Sequence, residues 1–281
     1  MPAADRSTET TSSAYIFDNS APQTPERFGG LDGMFNPSTT RHLGALGLTE
    51  GWRCWEVGAG SGAVAAWLSQ QVGPDGHVVA TDIDVRHAAG VRAANLDVVR
   101  HDVVADDPPG RDLDLVHARL VLHHLPGREQ ALKHMISALK PGGWVVVEDF
   151  DRALENLSET TSDEHAQALL LKLRLAQQRR MAARGVDQQF GRNLFGVLQR
   201  HGLEAVGAEG RALVSNGGSA WTRVREANIQ QSRDELVSSG ALTHDEIDEI
   251  LTILADPSIV LMTPLLMTAW GRTPLTPLAD E

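Results

Sequence analysis

The sequence predicts an α/β fold wound on both faces of a parallel sheet, and three observations carry that prediction. Short apolar, β-branched runs recur near 53–57, 77–81, 97–101, 113–117 and 143–149, with helical segments alternating between them. The first run leads straight into a glycine-rich turn, Gly58-Ala59-Gly60-Ser61-Gly62, and then into Ala63-Val-Ala-Ala-Trp-Leu68, the small and apolar residues of a helix packed closely on a sheet. At 281 residues and 42% hydrophobic content, the chain can build one large domain with an appended cap, whereas two full domains would be crowded.

The elements follow in order. Residues 1–13 are polar and rich in Ser and Thr and are expected to be disordered. Residues 14–50 form an N-terminal arm with cap helices. A short helix opens at Thr24-Pro25, and a second is capped by Asn36-Pro37, runs to about Leu46 and is ended by Gly47. The core spans 51–151, and a Lys140-Pro141-Gly142-Gly143 turn ends the helix before its fifth strand.

A helical insertion is expected over 152–190, where Thr161-x-x-Glu164 reads as a capping box for a helix to about Arg184. Leu169, Leu170, Leu173, Ala176 and Met181 follow at helical spacing. Residues 191–214 return to the core as a helix (191–201) and a sixth strand (203–214). A second insertion covers 215–257, its Thr243-x-x-Glu246 capping a helix with Ile247, Ile250, Leu251 and Leu254 on one face. The last strand lies within 258–272, where Pro264 marks a bulge or an irregular first half, and 273–281 is a tail.

The glycine turn requires a backbone that bends sharply and lets a ligand approach main-chain atoms. Gly58, Gly60 and Ala63 also satisfy the loose pattern of NAD-binding folds, and Asp82, twenty residues after Gly62, could accept from ribose hydroxyls in either case. Glu56, two residues before the first glycine, and Asp102, at the end of the third strand, separate the ligands. Carboxylates favour the ammonium and sulfonium of S-adenosylmethionine and repel a pyrophosphate. The absence of a Tyr-x-x-x-Lys pair also disfavours a nicotinamide-dependent reductase.

Together these pieces resemble a class I S-adenosylmethionine-dependent methyltransferase of the small-molecule, natural-product type. The matching segments are Glu56-Val-Gly-Ala-Gly-Ser-Gly62, Thr81-Asp82-Ile83-Asp84, Arg100-His101-Asp102-Val103, Asp112-Leu-Asp-Leu-Val-His-Ala-Arg119 and Leu139-Lys-Pro-Gly-Gly-Trp-Val-Val-Val147. The resemblance is close over about 36–150 and looser beyond. It implies a Rossmann-like sheet of seven strands, the last antiparallel between the fifth and sixth. It also implies that Asp82 and its neighbour Ile83 lie at the ribose, that Asp102 and Val103 meet the adenine, and that the 58–62 turn, including Ala59, passes under the methionine part. Ala118 and Arg119 fall where that family contacts the methionine end, and Tyr15 where an arm residue covers the cofactor, the plainer alternative being that it joins Phe17 in a hydrophobic patch.

Methyl transfer is an in-line attack, so holding nucleophile, methyl and sulfur in a row in a dry pocket supplies much of the rate. A hydroxyl acceptor must also lose its proton, which calls for a neutral His or a carboxylate nearby. His123 and His124, after the fourth strand, and Asp149, at the end of the fifth, stand where the acceptor is expected and are the catalytic candidates. Small-molecule O-methyltransferases, including those acting on sugars of natural products, carry a similar His-His pair and Asp-Phe. Against this, one of two adjacent histidines commonly packs inward, and Asp149 could merely hold a backbone amide. His117, inside an apolar strand, reads as a satisfied core histidine.

Composition excludes other classes. The net charge is −12, and Arg179-Arg180 is too short for the basic face a nucleic-acid substrate needs. The lone Cys54 reads as a small buried hydrophobe, no Cys/His grouping suggests a metal, and no apolar run reaches a membrane span, so a cytoplasmic home and a small-molecule acceptor are expected. The insertions read as a lid over the site; the plainer alternative is that they bury extra surface or form a homodimer interface. A second functional reading keeps the same pocket for S-adenosylmethionine, with S-adenosylhomocysteine as its product form, but runs a non-methylating reaction. N- or C-methylation also stays open.

Overall fold

The computed structural model describes residues 16–152, 159–160 and 163–275. Its centre is a seven-stranded sheet of β1 (Arg53–Val57), β2 (His77–Asp82), β3 (Leu96–Arg100), β4 (Leu113–Arg119), β5 (Leu139–Asp151), β7 (Glu204–Arg211) and β10 (Leu265–Arg272), in the order β3-β2-β1-β4-β5-β10-β7. The first five strands are parallel, and β10 runs antiparallel to both β5 and β7.

Strand side chains alternate between faces, so one face collects Trp55, Val57, Val116 and Val147 against Leu132 of α3 (Arg128–Ser137) and Leu194 of α5 (Phe190–Arg200). The other collects Cys54, Val78, Leu115 and Val146 against Leu68 of α2 (Ala63–Val72) and Leu43 of α1 (Thr24–Ala45). A separate core joins α4 (Glu164–Ala183), α6 (Ala220–Ser238) and α7 (His244–Ala255) through residues such as Leu173, Val224, Ile229 and Ile250. This helical layer lies over the carboxyl ends of the strands, where open α/β sheets bind ligands. No helix among the described residues is long and apolar enough to cross a membrane.

Four local expectations are corrected. The two N-terminal helices are one, α1, with Pro37 inside it. Pro37 leaves the carbonyl of Gly33 without its helical N–H partner, and burial of Phe35, Thr39 and Leu43 holds the helix together through that position. The cap of α4 is Asp163, whose side chain accepts from the N–H groups of His165 (2.9 Å) and Ala166 (3.2 Å); Thr161 lies outside the described residues. The Lys140–Gly143 turn sits inside β5 as an irregularity, the pairing jumping from Leu113↔Leu139 to Leu115↔Trp144.

Finally, the last strand breaks at Thr263-Pro264. Its first half, β9 (Val260–Met262), leaves the main sheet to pair with β6 (Glu159–Thr160) and β8 (Val214–Asn216) in a small antiparallel sheet. Without an N–H, Pro264 cannot bridge the two ladders, and the chain changes sheet there. The capping box Thr243/Glu246 of α7 forms in both directions, Thr243 N–H donating to Glu246 Oε2 at 2.8 Å and Glu246 N–H to Thr243 Oγ1 at 3.2 Å.

Candidate active site

A cavity of about 730 Å³ opens where β1 to β5 end, roofed by α1, α4 and α6. That volume is in the range of small-ligand clefts. At its floor, Gly58 has φ +71, and a Cβ there would collide with Val121. The backbone of Gly58 and Ala59 is pinned by N–H donation to the carbonyl of Thr81 (2.8 and 2.9 Å).

Asp82 lies opposite, accepting from Gly60 N–H (3.0 Å) on one oxygen and from Asp84 N–H (3.0 Å) on the other. Burial raises its pKa above the ordinary value, against the backbone hydrogen bonds that lower it. The carboxylate has more acceptor sites than its backbone donors occupy, as recognition of a ribose hydroxyl requires. Ile83, Asp102 and Val103 line the same end, and Asp102 Oδ1 accepts from Val104 N–H (2.9 Å), which fixes the turn after β3.

Arg119, at the end of β4, also lines the cavity. Its guanidinium donates to Asp32 of α1 (3.0 Å) and to Thr39 Oγ1 (2.9 Å), and Asp32 in turn accepts from Ser61 Oγ (2.5 Å). The N-terminal helix is thereby tied to the glycine turn and to β4. Asp32 was not foreseen; nothing local to α1 marks it, since its partners are distant in sequence.

Glu56 faces the cavity beside a polar belt built into the sheet. It pairs in register with His117 on β4, whose Nδ1 lies 2.6 Å from Glu56 Oε2. On its other side His117 Nε2 lies 3.4 Å from Glu148 of β5, and Glu148 accepts from Thr268 of β10 (2.6 Å) and from Thr39 of α1. Burial opposes a charge on His117, yet Glu56 and Glu148 outweigh it and raise its pKa to about 9. Burial likewise opposes the Glu148 carboxylate, but His117, Arg119 and Thr268 bring its pKa down to about 2. His117 is buried and satisfied, as its place in an apolar strand suggested; the carboxylates on both sides of it are the part the strand pattern did not reveal.

Three expected site residues stand back from the cavity and one is not described. Ala118 is buried in the β4 core, because its side chain points to the face opposite His117. Gly62 packs α2 against the 88–91 segment, where a Cβ would lie 2.7 Å from Val91 Cγ2. Asp149 is fully buried behind His123. Tyr15 lies outside the described residues.

The acceptor end is built on a bend. Leu120 has φ +57, a left-handed conformation that costs a non-glycine residue about 1–2 kcal/mol, and it turns the chain from β4 into a single 3₁₀ turn, Leu122–His124. That turn presents His123 and His124 to the cavity with ring centroids 3.8 Å apart. Asp149 holds His123 twice, accepting from its backbone N–H (3.2 Å) and from ring Nδ1. Burial first, and then the charges of His123, Arg27 and Arg152, push the His124 pKa well below its usual value. His124 therefore stays neutral at pH 7. Phe17 meets it edge-on at 6.3 Å.

A glycine-turn cleft at the strand ends of a doubly wound sheet, with an acidic residue closing the second strand, defines a nucleoside-binding α/β protein. The model of the methyltransferase-domain family matches residues 33–207, and the chain belongs to that family. Among curated relatives it is 33% identical over 150 residues to methyltransferase str3 of Strobilurus tenacellus, covering 51% of this chain and 50% of that protein. It is 30% identical over 197 residues to methyltransferase str2 of the same organism, covering 64% and 67%. It is 30% identical over 133 residues to the ubiquinone/menaquinone biosynthesis C-methyltransferase UbiE of Pseudomonas fluorescens, covering 44% and 52%. The chain thus spans about half the length of str3 and of UbiE.

Among solved structures, the YcgJ protein of Bacillus subtilis superposes with TM-score 0.54 at 14% identity, covering 85% of this chain and 99% of that one. Phospholethanolamine N-methyltransferase 2 of Haemonchus contortus, solved with S-adenosylhomocysteine, gives 0.53 at 14%, covering 90% and 58%. At these identities both show the fold.

The cleft fits S-adenosylmethionine, the cofactor of the family. Its glycine cradle admits no Cβ at Gly58, its buried Asp82 keeps acceptor capacity for a diol, and Glu56, Asp32 and Asp102 give it the anionic lining that suits a cationic cofactor.

Proposed function

We propose that the protein moves a methyl group from S-adenosylmethionine to a hydroxyl of a small molecule, as an O-methyltransferase of secondary metabolism. One observation carries this reading: a neutral buried histidine, His124, stacked on a second histidine that a buried carboxylate fixes, both in the wall of the cavity. In it Asp82 holds the ribose hydroxyls, Asp102 and Val103 frame the adenine, and Glu56, the 58–62 turn and Arg119 with Asp32 surround the amino-acid end.

The bound cofactor supplies an electrophilic methyl group on a sulfonium sulfur. The protein's own part is positioning and proton removal. Because a carboxylate can only accept, Asp149 holds a proton on His123 Nδ1, so that proton exchange with the acceptor runs through Nε2. His124, kept neutral, is the second candidate base, and the apolar walls of Leu31, Leu120, Phe150 and Trp221 exclude water. Asp149 itself is a positioning residue.

The test is turnover of methyl-labelled S-adenosylmethionine with a panel of small hydroxylated acceptors. A labelled O–CH₃ resonance in the product supports the proposal. A second reading, C-methylation, is motivated by the relatives named C-methyltransferases, and a labelled C–CH₃ resonance would favour it.

A further inference from the structure

The carboxylates lining the cavity are segregated, although Arg100 and Arg119 stand on the same side as they do. Every carboxylate in its described wall, Asp32, Glu56, Asp82 and Asp102, stands beside the glycine turn or the ends of β2 and β3, on the cofactor side. The histidine side carries Arg27 of α1, Arg152 just after β5 and Arg180 of α4, and no carboxylate. The cofactor side is thus mixed with acid in excess and the histidine side carries cations without carboxylates, which suits a cationic ligand on the first and an anionic group on the second.

The three arginines are held differently. Arg180 donates through Nε to Glu235 (2.6 Å), a residue that also accepts from Arg184 (2.6 Å). Arg27 is buried to 4% exposure, its guanidinium 4.4 Å from the centroid of Phe17 and 4.9 Å from that of Phe28. Two aromatic faces hold its charge in place as a planar fork. Arg152 lies 6.0 Å from the Phe150 ring centroid. Both Arg27 and Arg152 act on the His124 imidazole, holding back its protonation, so their positive field covers the place where the acceptor would react.

We propose that the methyl acceptor carries a carboxylate, docked by Arg27 and Arg152, with an apolar body against Leu31, Leu120, Phe150 and Trp221. This deepens the O-methyltransferase reading and rests on it. A guanidinium meets a carboxylate with two parallel hydrogen bonds, which fixes direction as well as distance, and would bring a hydroxyl on the same small molecule to His123 and His124. The same positive field stabilises a hydroxyl oxygen as it loses its proton.

The experiment compares matched probes, hydroxybenzoates and hydroxycinnamates as free acids and as methyl esters, on the protein saturated with S-adenosylhomocysteine. Binding is read by calorimetry and by saturation-transfer NMR at millimolar probe. The free acid of at least one pair should bind about ten- to a hundredfold more tightly than its ester, the range of a charge-assisted hydrogen bond. Arg152→Gln and Arg27→Gln should each remove most of that preference while S-adenosylhomocysteine affinity stays unchanged. Arg152 is not stacked between rings as Arg27 is, so Arg152→Gln carries the test if the other variant misfolds.

Esters binding as well as acids, or no acid binding at all, would overturn the proposal. A loss of S-adenosylhomocysteine affinity in either variant would assign the arginine to the cofactor's own carboxylate instead, and would also overturn it. The function reading fails separately, if the wild-type protein does not bind S-adenosylhomocysteine or if its product carries no O–CH₃ group.

Discussion

Asp149 grips His123 at two points, accepting from its backbone N–H at 3.2 Å and from its ring Nδ1. One buried carboxylate thus sets both where the ring lies and which nitrogen carries the proton. In Asp149→Asn that control is lost, and turnover is expected to fall by roughly 10²–10⁴, the share of general-base catalysis, with S-adenosylhomocysteine affinity retained. Combining it with His123→Ala should cost less than the product of the single losses, because the two groups act as a unit. Steady-state kinetics of the three proteins, with calorimetry alongside, makes the check. Near-normal turnover in Asp149→Asn would show that positioning alone drives transfer.

Asp82 accepts from backbone N–H groups and lines the cavity, with acceptor capacity left on its carboxylate. Asp82→Ala should weaken S-adenosylmethionine binding by about 1–3 kcal/mol, the cost of leaving buried polar partners unmade. The folding midpoint measured without ligand controls for a general loss of structure. Unchanged affinity by calorimetry would remove Asp82 from the cofactor site.

His117 gives the fold a signature at alkaline pH. Its folded pKa of about 9 lies above the ordinary value of about 6.5, so its contribution to stability is complete below the unfolded pKa and is lost as pH rises through about 9. Glu148 has the opposite sign. Its folded pKa of about 2 lies below the ordinary value, so its contribution is present above about 4.5 and is lost as pH falls toward 2. An NMR titration of labelled histidine should show one resonance titrating near pH 9, and the melting temperature should drop across that step. A His117 resonance titrating below 7 would mean that the two carboxylates do not hold its charge.

Gly191 lies against β5 so closely that a Cβ would sit 2.5 Å from the carbonyl oxygen of Asp149 and 2.7 Å from Asp151 N. Gly191→Ala must push α5 off the strand and should destabilise the protein by about 1–3 kcal/mol. Because the displaced backbone carries Asp149, turnover should fall more than cofactor affinity does. Urea unfolding and kinetics on the same preparation test both parts, and unaltered values in both would show that the contact yields without consequence.

Much of the site was legible because its signals are local. The turn from Glu56 to Gly62, the acidic close of β2 at Asp82 and the pair at His123-His124 are short segments whose geometry follows from strand, turn and helix in immediate succession. Cys54, expected as a small buried hydrophobe of the first strand, likewise lies in the core. The belt of Glu56, His117 and Glu148 was half legible: Glu56 and His117 stood out as polar residues within apolar strands, but Glu148 did not, and only strand order makes β1, β4 and β5 neighbours.

By itself, then, the sequence determined the order of strands and helices, the glycine cradle and the acidic close of β2 at Asp82, since periodicity and turn chemistry act over a few residues. Tertiary structure decided that α1 runs unbroken through Pro37, that β8 and β9 leave the main sheet together, that Ala118 and Asp149 stand behind the cavity wall, and that Arg27, Arg152 and Arg180 converge on the histidines. These outcomes depend on which distant surfaces become buried against one another. That free energy is shared among residues far apart in the chain, and no local pattern encodes it.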